Sequence, residues 1–422
     1  MVATVLLGVQ LARYLGPAQY GIYGLVLAAV SILSVVAQFG LPVLAVRAAA
    51  SSEAVEAGQR QVLTWFLGKT LAIAGGVTAT AALVLWQFFP DKVTEVGSVV
   101  VGLAAALILS FALLATVIGV LRGGGQNLKG QFIDTLFRPA CISAILLAIY
   151  LALNGLSVAQ ALTTQVVISL LALAVAVWLM KAQLTSGGPS GKPFVQPGWV
   201  TAALSLSASS VLIVLNGNFP MIIAGLYVSP TDLGILRVAL SSVMLLALPA
   251  SIANIAVGPV MAKLASAGDA AGLERTIADT TLLTFVATLI SFIGFALIGR
   301  PLISILFGVE YLGSYAPLLI LGISQLIVAA FGTSATFLNM TGHERVVIKA
   351  FAISVPIGMI AGFFLVRSYG MMGAAFSNIV MVSVWHLYVV QWNRVHLKAP
   401  ISIAAAWMHW RRRQSHQIED AA

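Results

Sequence analysis

Two arginines lie inside long apolar runs of this chain, where a charged side chain is costly to keep. Arg237 follows Asp232 by five residues, and Arg138 follows Asp134 by four. A charge at the centre of a membrane helix costs about 2.5–3.5 kcal/mol on insertion scales, so each needs a reason. A guanidinium offers a planar fork of donors that binds phosphate through two hydrogen bonds. Both arginines are therefore candidate ligands for an anionic group.

Structural explanations for these arginines remain open. Arg237 would lie about 8 Å inside its span at 1.5 Å per residue, close enough for the side chain to snorkel to the interface. Asp134 and Arg138 have the i,i+4 spacing of a helical ion pair that neutralises itself. Arg13 and Arg47 stand at the ends of the first two spans, where either an interfacial anchor or a headgroup ligand would fit.

Amide side chains form a second candidate group. Asn216 and Asn218 precede Pro220 near the middle of an apolar run. Buried amides often serve only as hydrogen-bonding links between helices. A proline also frees backbone carbonyls, and membrane proteins place binding sites at broken helices near the midplane. The hypothesis is that this segment breaks at Pro220 and lines a substrate path, with Gln10 and Gln38 contributing from the first two spans.

The composition excludes a water-soluble domain. The 422 residues are 60% hydrophobic and 8% charged, with a mean hydropathy of +1.02, whereas soluble chains carry about 25% charged residues. The net charge of +9 is scattered among apolar runs, so nucleic acid is not an expected partner. The sole cysteine, Cys141, excludes an intrachain disulfide. The sequence has no nucleotide-binding loop, zinc-protease motif or nucleophile elbow, and its five histidines do not cluster. We expect no enzyme activity, cofactor or metal.

Runs long enough to cross a bilayer predict twelve spans, six in each half. Span 1 is short, which suggests that the N-terminus is truncated. The spans are placed near residues 1–15, 20–47, 62–89, 96–121, 131–153, 157–181, 200–227, 232–263, 275–299, 314–340, 345–367 and 371–394.

The spans define four regions and one orientation. Residues 1–181 form the first six-helix bundle, 182–199 a Gly/Pro/Ser-rich linker, 200–395 the second bundle, and 396–422 a basic tail. The tail carries tryptophans and arginines that suit a helix lying on anionic membrane lipids. Basic residues concentrate in the loops on one side, which places both termini and the linker in the cytoplasm.

The two halves repeat one another. The segment 14–21 returns in the second half as 227–234, with Tyr, Pro and Gly at the same spacing. Leu121, Gly125 and Pro139 recur at one constant offset as Leu338, Gly342 and Pro356, and Asn154-Gly155 with Ala159 recur at a nearly equal offset as Tyr369-Gly370 with Ala374. Duplication with an even number of spans predicts an all-α polytopic membrane protein, with about twelve transmembrane helices in two six-helix bundles related by a pseudo-twofold along the membrane normal.

Prolines and glycines at repeated positions are candidate hinges. Pro17 with Gly21, and Pro230 with Gly234, mark the two repeated turns, where they either shape a tight connection or let paired spans move as gates. Thr231 or Asp232 is expected to cap span 8. Four prolines are expected to kink spans, with a hinge role as the alternative: Pro42 in span 2, Pro139 in span 5, Pro249 in span 8 and Pro356 in span 11.

The chain resembles the polysaccharide and lipid-linked oligosaccharide flippases of the MOP (multidrug/oligosaccharidyl-lipid/polysaccharide) exporter superfamily. The residues that carry the resemblance are Ala12-Arg13-Tyr14-Leu15-Gly16-Pro17-Ala18-Gln19-Tyr20-Gly21, Phe39-Gly40-Leu41-Pro42 with Arg47, and Gly234-Ile235-Leu236-Arg237-Val238-Ala239.

The resemblance implies transfer of an undecaprenyl-diphosphate-linked sugar unit across the bacterial inner membrane by alternating access, around a cavity lined by spans 1, 2, 7 and 8. Its partners would include a glycan polymerase or glycosyltransferases of the same pathway. A multidrug or small-metabolite exporter of the superfamily is the main alternative, although such a protein would favour buried acids. A glycan polymerase or ligase is a further alternative, but the longest outer loop, about 300–314, is short and apolar.

Overall fold

The computed structural model describes residues 2–50, 59–88, 97–153, 155–181, 199–397 and 399–419, and the regular elements in these ranges are all helical. The predicted all-α membrane fold is confirmed. Most of the predicted linker (182–198), together with Asn154 and Lys398, lies outside the described residues. The elements are Val2–Gln38, Leu41–Ala49, Gln59–Phe88, Ser98–Gly123, Asn127–Phe132, the π-helical segment Ile133–Phe137, Arg138–Leu153, Val158–Leu179, Trp199–Ala224, Pro230–Leu246, Leu248–Ser266, Ala270–Leu306, the 3-10 segment Val309–Ser314, Tyr315–Ala330, Ser334–Met340, Glu344–His396 and Ile403–Glu419.

The predicted number of spans agrees with the helices. Within the described ranges, ten helical segments are long and apolar enough to cross a membrane. Two of these each contain two spans joined at a glycine with a non-helical backbone. Spans 1 and 2 meet at Gly16 (φ 72°, ψ 168°), and spans 11 and 12 meet at Gly370 (φ 55°, ψ −133°). Ten segments with two such junctions give twelve spans, six in each half.

The chain folds into two compact units, Met1–Asn218 and Phe219–Ala422. Each unit has its own buried apolar core, with Phe66 and Leu121 among the fully buried side chains of the first. The buried core of the second unit includes Ile277, Leu338 and Val389. The division at a linker over 182–199 stays a prediction.

The second repeated turn is capped by a residue other than those expected. Ser229 precedes the helix Pro230–Leu246, and its Oγ accepts a hydrogen bond from the backbone N–H of Asp232 at 3.2 Å. The prediction of Thr231 or Asp232 as the cap is wrong. Proline is favoured in the first helical position, where its missing N–H has no partner to lose. Pro230 therefore starts the helix, and the capping position falls one residue earlier.

The helices of spans 2 and 8 are each interrupted shortly before their prolines. The helix of span 2 ends at Gln38 and resumes at Leu41, after Gly40 with φ 70°. The helix of span 8 ends at Leu246 and resumes at Leu248. Pro42 and Pro249 are each the second residue of the resumed helix, a position that needs no backbone donor. At Pro42 the predicted kink is a break, whereas Ala247 before Pro249 keeps a right-handed conformation (φ −81°, ψ −8°) and span 8 is interrupted at that one residue.

The repeat partners Pro139 and Pro356 lie in different local structures. Pro139 follows the π-helical segment Ile133–Phe137, in which the N–H of Arg138 reaches back to the carbonyl of Ile133. The helix Glu344–His396 runs through Pro356 without interruption. Single π turns inside α-helices occur frequently at functional sites, so span 5 is a better candidate for a functional site than span 11.

The basic tail forms a helix that packs against span 9. The helix Ile403–Glu419 contacts Ala270–Leu306, and Nε2 of His409 lies 3.7 Å from Oε2 of Glu274. Trp407 and Trp410 stack with their ring centroids 5.1 Å apart. The helical tail agrees with the sequence, and its contact with anionic lipid stays a prediction.

Two glycines bring span 4 into direct backbone contact with the second part of span 2. A Cβ on Gly119 would collide with the carbonyl oxygen of Pro42, and a Cβ on Gly123 with that of Val46. The spacing of the two glycines is that of the Gly-x-x-x-Gly motif, which lets membrane helices approach closely. This contact fixes the distance between two walls of the cavity described below.

We predict that Gly119→Ala destabilises the first unit by about 1–3 kcal/mol, because the added methyl group meets rigid backbone rather than a mobile side chain. Gly102→Ala is the matched control, since Gly102 lies in the same helix with nothing within 4 Å of a Cβ. Thermal unfolding of the purified protein measures both. Equal melting temperatures for the two variants would contradict the close contact.

Candidate functional site

A cavity of about 470 Å³ lies within the first unit, between spans 2, 4 and 5. Small-molecule sites in proteins commonly occupy roughly 300–1,000 Å³, so the cavity has room for a polar headgroup. It is lined by Ser34, Gln38, Pro42, Val43, Val46 and Arg47 from span 2, by Phe111, Leu114, Ala115, Ile118, Gly119 and Arg122 from span 4, and by Asp134 and Arg138 from span 5.

Arg138 is held in the cavity wall by three neighbours. Its Nη1 lies 3.3 Å from Oδ1 of Asp134, and its Nη2 donates to Oγ of Ser169 at 3.4 Å. Its Cζ lies 4.6 Å from the ring centroid of Phe111, which is within cation–π distance. The side chain is 16% exposed, and its buried Nε has no hydrogen-bond partner among the described residues. The i,i+4 pair therefore forms, and both of its members face the cavity.

The cavity carries a net positive charge. Its lining contains the three arginines 47, 122 and 138 and one acid, Asp134, so the formal balance is +3 − 1 = +2. Arg47 and Arg122 come from the last turns of Leu41–Ala49 and Ser98–Gly123, where a cation is also favoured by the helix dipole. A cavity with this balance attracts anions and repels cations.

Span 2 adds polar groups to the same wall. Gln38 is the last residue before the break in span 2 and is half-buried. Ser34 stands one turn earlier, and its hydroxyl donates to the carbonyl of Ser31 at 3.0 Å. Of the four amide residues predicted for the substrate path, Gln38 is the one that lines this cavity.

Gln10 and Arg13 of span 1 lie outside the cavity lining. Nε2 of Gln10 donates to the carbonyl of Ser143 at 2.9 Å, and the Ser143 hydroxyl donates to Oε1 of Gln10. Gln10 therefore links span 1 to span 5. Arg13 is exposed, close to the Gly16 junction.

The amides of span 7 also lie away from the cavity. The helix Trp199–Ala224 continues through Pro220, so the break predicted there is absent. Phe219 and Pro220 are both buried. Nδ2 of Asn218 donates to the carbonyl of Val214 at 3.0 Å in the same helix. A substrate role for Asn216 and Asn218 stays a prediction.

Arg237 lies in the second unit, about two turns into the helix Pro230–Leu246. The residue is half-buried, and its Nε is buried without a hydrogen-bond partner in the part of the chain that the structure describes. The structure thus gives it no ion pair with a described residue, and its role as an anion ligand stays a prediction.

The candidate gate residues have local structural roles. Gly21 and Gly234 are buried within their helices, while Pro17 and Pro230 stand at helix starts. Their motion as hinges, and that of Pro139 and Pro356, stays a prediction. So does the cavity lined by spans 1, 2, 7 and 8.

Sequence reasoning did not select Arg122, Phe111 or Ser169 for the site. In the sequence, Arg122 is a basic residue at the end of span 4, and such a residue by itself indicates only which side of the membrane that end faces. Phe111 and Ser169 lie in uniformly apolar runs, where nothing distinguishes them from neighbours that face lipid. Pairing them with Arg138 requires the packing of spans 4 and 6 against span 5.

Solved structures with the same fold are membrane transporters. A multidrug resistance MATE family transporter of the MOP superfamily, in an inward-facing conformation, matches with a TM-score of 0.77 at 15% identity, covering 94% of each chain. Lipid II flippase MurJ matches with a TM-score of 0.72 at 14% identity, covering 93% of this chain and 85% of that one. A MOP superfamily transporter from Pyrococcus furiosus matches at 0.61 and 14% identity, covering 94% and 92%. A search of curated protein sequences finds no match.

A family profile described as "Polysaccharide biosynthesis protein" matches residues 2–265, which is more than half of the chain. The recognition of the MOP superfamily from the sequence is confirmed by this match and by the shared fold. The chain therefore belongs to the polysaccharide biosynthesis protein family, and it has the multi-pass membrane fold of MOP superfamily transporters.

Proposed function

We propose that this transporter flips an undecaprenyl-diphosphate-linked oligosaccharide or polysaccharide precursor from the cytoplasmic to the outer leaflet of the bacterial inner membrane. The observation that carries the proposal is the net charge of +2 in the cavity of the first unit. The two phosphates of such a lipid are the part that hydrocarbon excludes most strongly, because an uncompensated ionic group is very costly to transfer out of water. A cationic cavity lowers that cost.

Arg138 is the proposed ligand of the diphosphate. Its guanidinium plane is already oriented by Asp134 and Phe111, so little rotamer entropy is lost when a phosphate binds. Its Nε donor has no partner within the described ranges of the protein. Arg47 and Arg122 supply further positive charge from the ends of their helices.

The orientation predicted by the loop charges supports loading from the cytoplasmic leaflet. Arg47 and Arg122 belong to the basic set that the positive-inside rule assigns to the cytoplasm. In this orientation the cavity receives the headgroup at the inner face while the undecaprenyl chain stays in lipid. Both termini are then cytoplasmic.

Drug export is the second candidate, favoured by the fold shared with a multidrug resistance transporter. Organic cations are repelled by a cavity of net charge +2, whereas an anionic headgroup is attracted. The charge of the cavity therefore favours the flippase over an exporter of cations.

We predict that Arg138→Gln lowers the rate of leaflet transfer about tenfold to a hundredfold, because one charge-assisted hydrogen bond is worth about 1.5–3 kcal/mol. Arg138→Lys retains the charge but loses the planar fork, so its rate should be intermediate. The assay follows a fluorescent undecaprenyl-diphosphate oligosaccharide in proteoliposomes. Arg300→Gln is the matched control, since Arg300 is exposed at the end of span 9 in the second unit. Unaltered transfer by Arg138→Gln would exclude this site while leaving the flippase in place.

A second prediction concerns the substrate's charge. Wild-type proteoliposomes should transfer the diphosphate-linked sugar at least about tenfold faster than the same sugar on an uncharged polyprenyl ether, since only the former engages the arginines. A fluorescent organic cation tested in parallel should not be carried. Transport of the cation without transfer of either lipid, in protein shown to be folded, would support drug export instead.

A further inference from the structure

A second space of about 180 Å³ lies within the first unit, between spans 2, 3 and 4. Val30 and Ile108 form its floor and are 1% and 3% exposed, whereas Ala82 at its edge is exposed. The space is therefore a groove that is deep between the helices and open along one side. We call it the apolar groove, and its lining comes from residues within 25–33 of span 2, 78–82 of span 3 and 100–108 of span 4.

The lining of the apolar groove suits hydrocarbon better than water. Of the described residues that line it, Thr78 alone has a polar side chain, and its hydroxyl donates to the carbonyl of Ala74 in its own helix at 2.6 Å. A buried water normally makes about two to four hydrogen bonds, whereas apolar cavities stay dry. Because an apolar cavity of about 150 Å³ can hold a six-carbon ring, the groove has room for about one five-carbon isoprene unit.

Small side chains keep the groove open where the three spans meet. Protein interiors are normally close-packed, with few voids larger than a water molecule. An unfilled space deprives the atoms of its walls of packing contacts, and a hydrocarbon chain that enters restores them. The alanines that leave this space come from all three spans and are Ala29, Ala81, Ala82, Ala104 and Ala105.

The groove and the cavity that contains Arg138 share one face of span 4. Their lining residues on this span follow one another at alternating steps of three and four residues, which keeps them on a single helical stripe. On span 2, Val30 of the groove and Ser34 of the cavity are one turn apart. The two spaces therefore follow each other along the same pair of helices. The stripe on span 4 consists of Val101, Ala104 and Ile108 from the groove, then Phe111, Ala115, Ile118 and Arg122 from the cavity.

The junction of the two spaces lies beside the proposed ligand of the diphosphate. Ile108, at the end of the groove nearest the cavity, precedes Phe111 by one turn, which is about 4.5 Å along the helix axis. The ring centroid of Phe111 lies 4.6 Å from Cζ of Arg138. The carbon chain attached to a diphosphate at Arg138 therefore begins close to the groove.

The direction of the groove matches that of a lipid loaded from the inner leaflet. Span 4 begins at Ser98, and its opposite end at Arg122 is the one that the loop charges assign to the cytoplasm. On this helix the groove occupies 100–108 and the cavity 111–122, so the groove is on the outer side of the cavity. The chain of an inner-leaflet lipid runs from its headgroup toward the centre of the bilayer. A diphosphate in the cavity therefore directs its first carbons along the groove.

We propose that the apolar groove binds the first isoprene unit of the polyprenyl chain while the diphosphate is bound at Arg138. This inference rests on the proposed function and adds a second recognition element for the same substrate. The rest of the chain stays in lipid. The occupant is the chain of the substrate and not a phospholipid acyl chain, because a chain tethered by a bound headgroup has a higher effective concentration at the groove than a free one.

The first test locates the chain by photolabelling of the full-length protein in proteoliposomes. The probe is a polyprenyl-diphosphate oligosaccharide with a diazirine in its first isoprene unit, and labelled peptides are identified by mass spectrometry. We expect label within 25–33, 78–82 and 100–108, and we expect excess unlabelled undecaprenyl-diphosphate oligosaccharide to remove it. The control probe is phosphatidylglycerol with a diazirine in its acyl chain.

Two labelling results would overturn the proposal. In the first, the substrate probe labels the exposed Leu71 of span 3 in preference to the groove. In the second, the phosphatidylglycerol probe labels the groove and excess substrate does not displace it, as expected if an ordinary acyl chain fills the space. Labelling does not require transfer between leaflets, so it tests the groove even if wild type transfers no substrate and the proposed function fails.

The second test fills the groove with a larger side chain. Ala81→Phe should abolish labelling of the groove and raise the half-saturating substrate concentration for transfer about fivefold, a modest effect because a chain that leaves lipid gains packing contacts but no hydrophobic energy. Ala79→Phe is the matched control, since Ala79 is exposed on the same helix outside the groove lining. Melting temperatures show whether both variants are folded, and the labelling of wild type decides if Ala81→Phe is not. If wild type transfers the substrate while folded Ala81→Phe matches Ala79→Phe in labelling and in half-saturating concentration, the groove is overturned and the flippase stands.

Discussion

The cost of holding a charge inside hydrocarbon governs the first unit. Arg138 is largely buried in a span that is otherwise mostly apolar, and three neighbours contact its guanidinium group. Asp134 supplies the opposite charge, Ser169 accepts a hydrogen bond, and the ring of Phe111 offers its negative face. These partners come from spans 4, 5 and 6. The position of one guanidinium therefore depends on the packing of three helices, and Arg138 also lines the cavity beside them.

The cavity exists because its walls are held at a fixed separation by glycine. Gly119 and Gly123 let span 4 touch the backbone of Leu41–Ala49, and Gly119 itself lines the cavity next to Pro42. The break before Leu41 turns the second part of span 2 so that Arg47 reaches the same space. A bulkier residue at 119 would push apart the two helices that present Arg47 and Arg122. The close packing of spans 2 and 4 therefore also sets the positions of the charges in the cavity.

Sequence predicts those features that each helix determines by itself. Twelve spans follow from the length of the apolar runs, and the Asp134–Arg138 pair follows from i,i+4 spacing. The break expected at Pro220 is absent, because a proline permits an interruption of a helix without requiring one. The interruption at Gly332 and the association of Arg122 with Arg138 were not predicted, because both depend on which helices pack together. Threonine and serine in apolar runs did not indicate a site in the sequence. The hydroxyl of such a residue usually donates a hydrogen bond to a carbonyl of its own helix.

The repeat itself argues that the two units handle charge differently. Pro139 and Pro356 are repeat partners, so Asp134 and Arg138 correspond by the same offset to Phe351 and Val355. Duplication preserved the proline while the ion pair has no counterpart: Val355 is 2% exposed in an apolar environment. Its span also lacks the π-helical segment that precedes Pro139. The features that make the first cavity cationic are therefore not a property of the six-helix fold, which both halves share. Among the described residues they belong to the first half, as expected if the first unit binds an anionic headgroup.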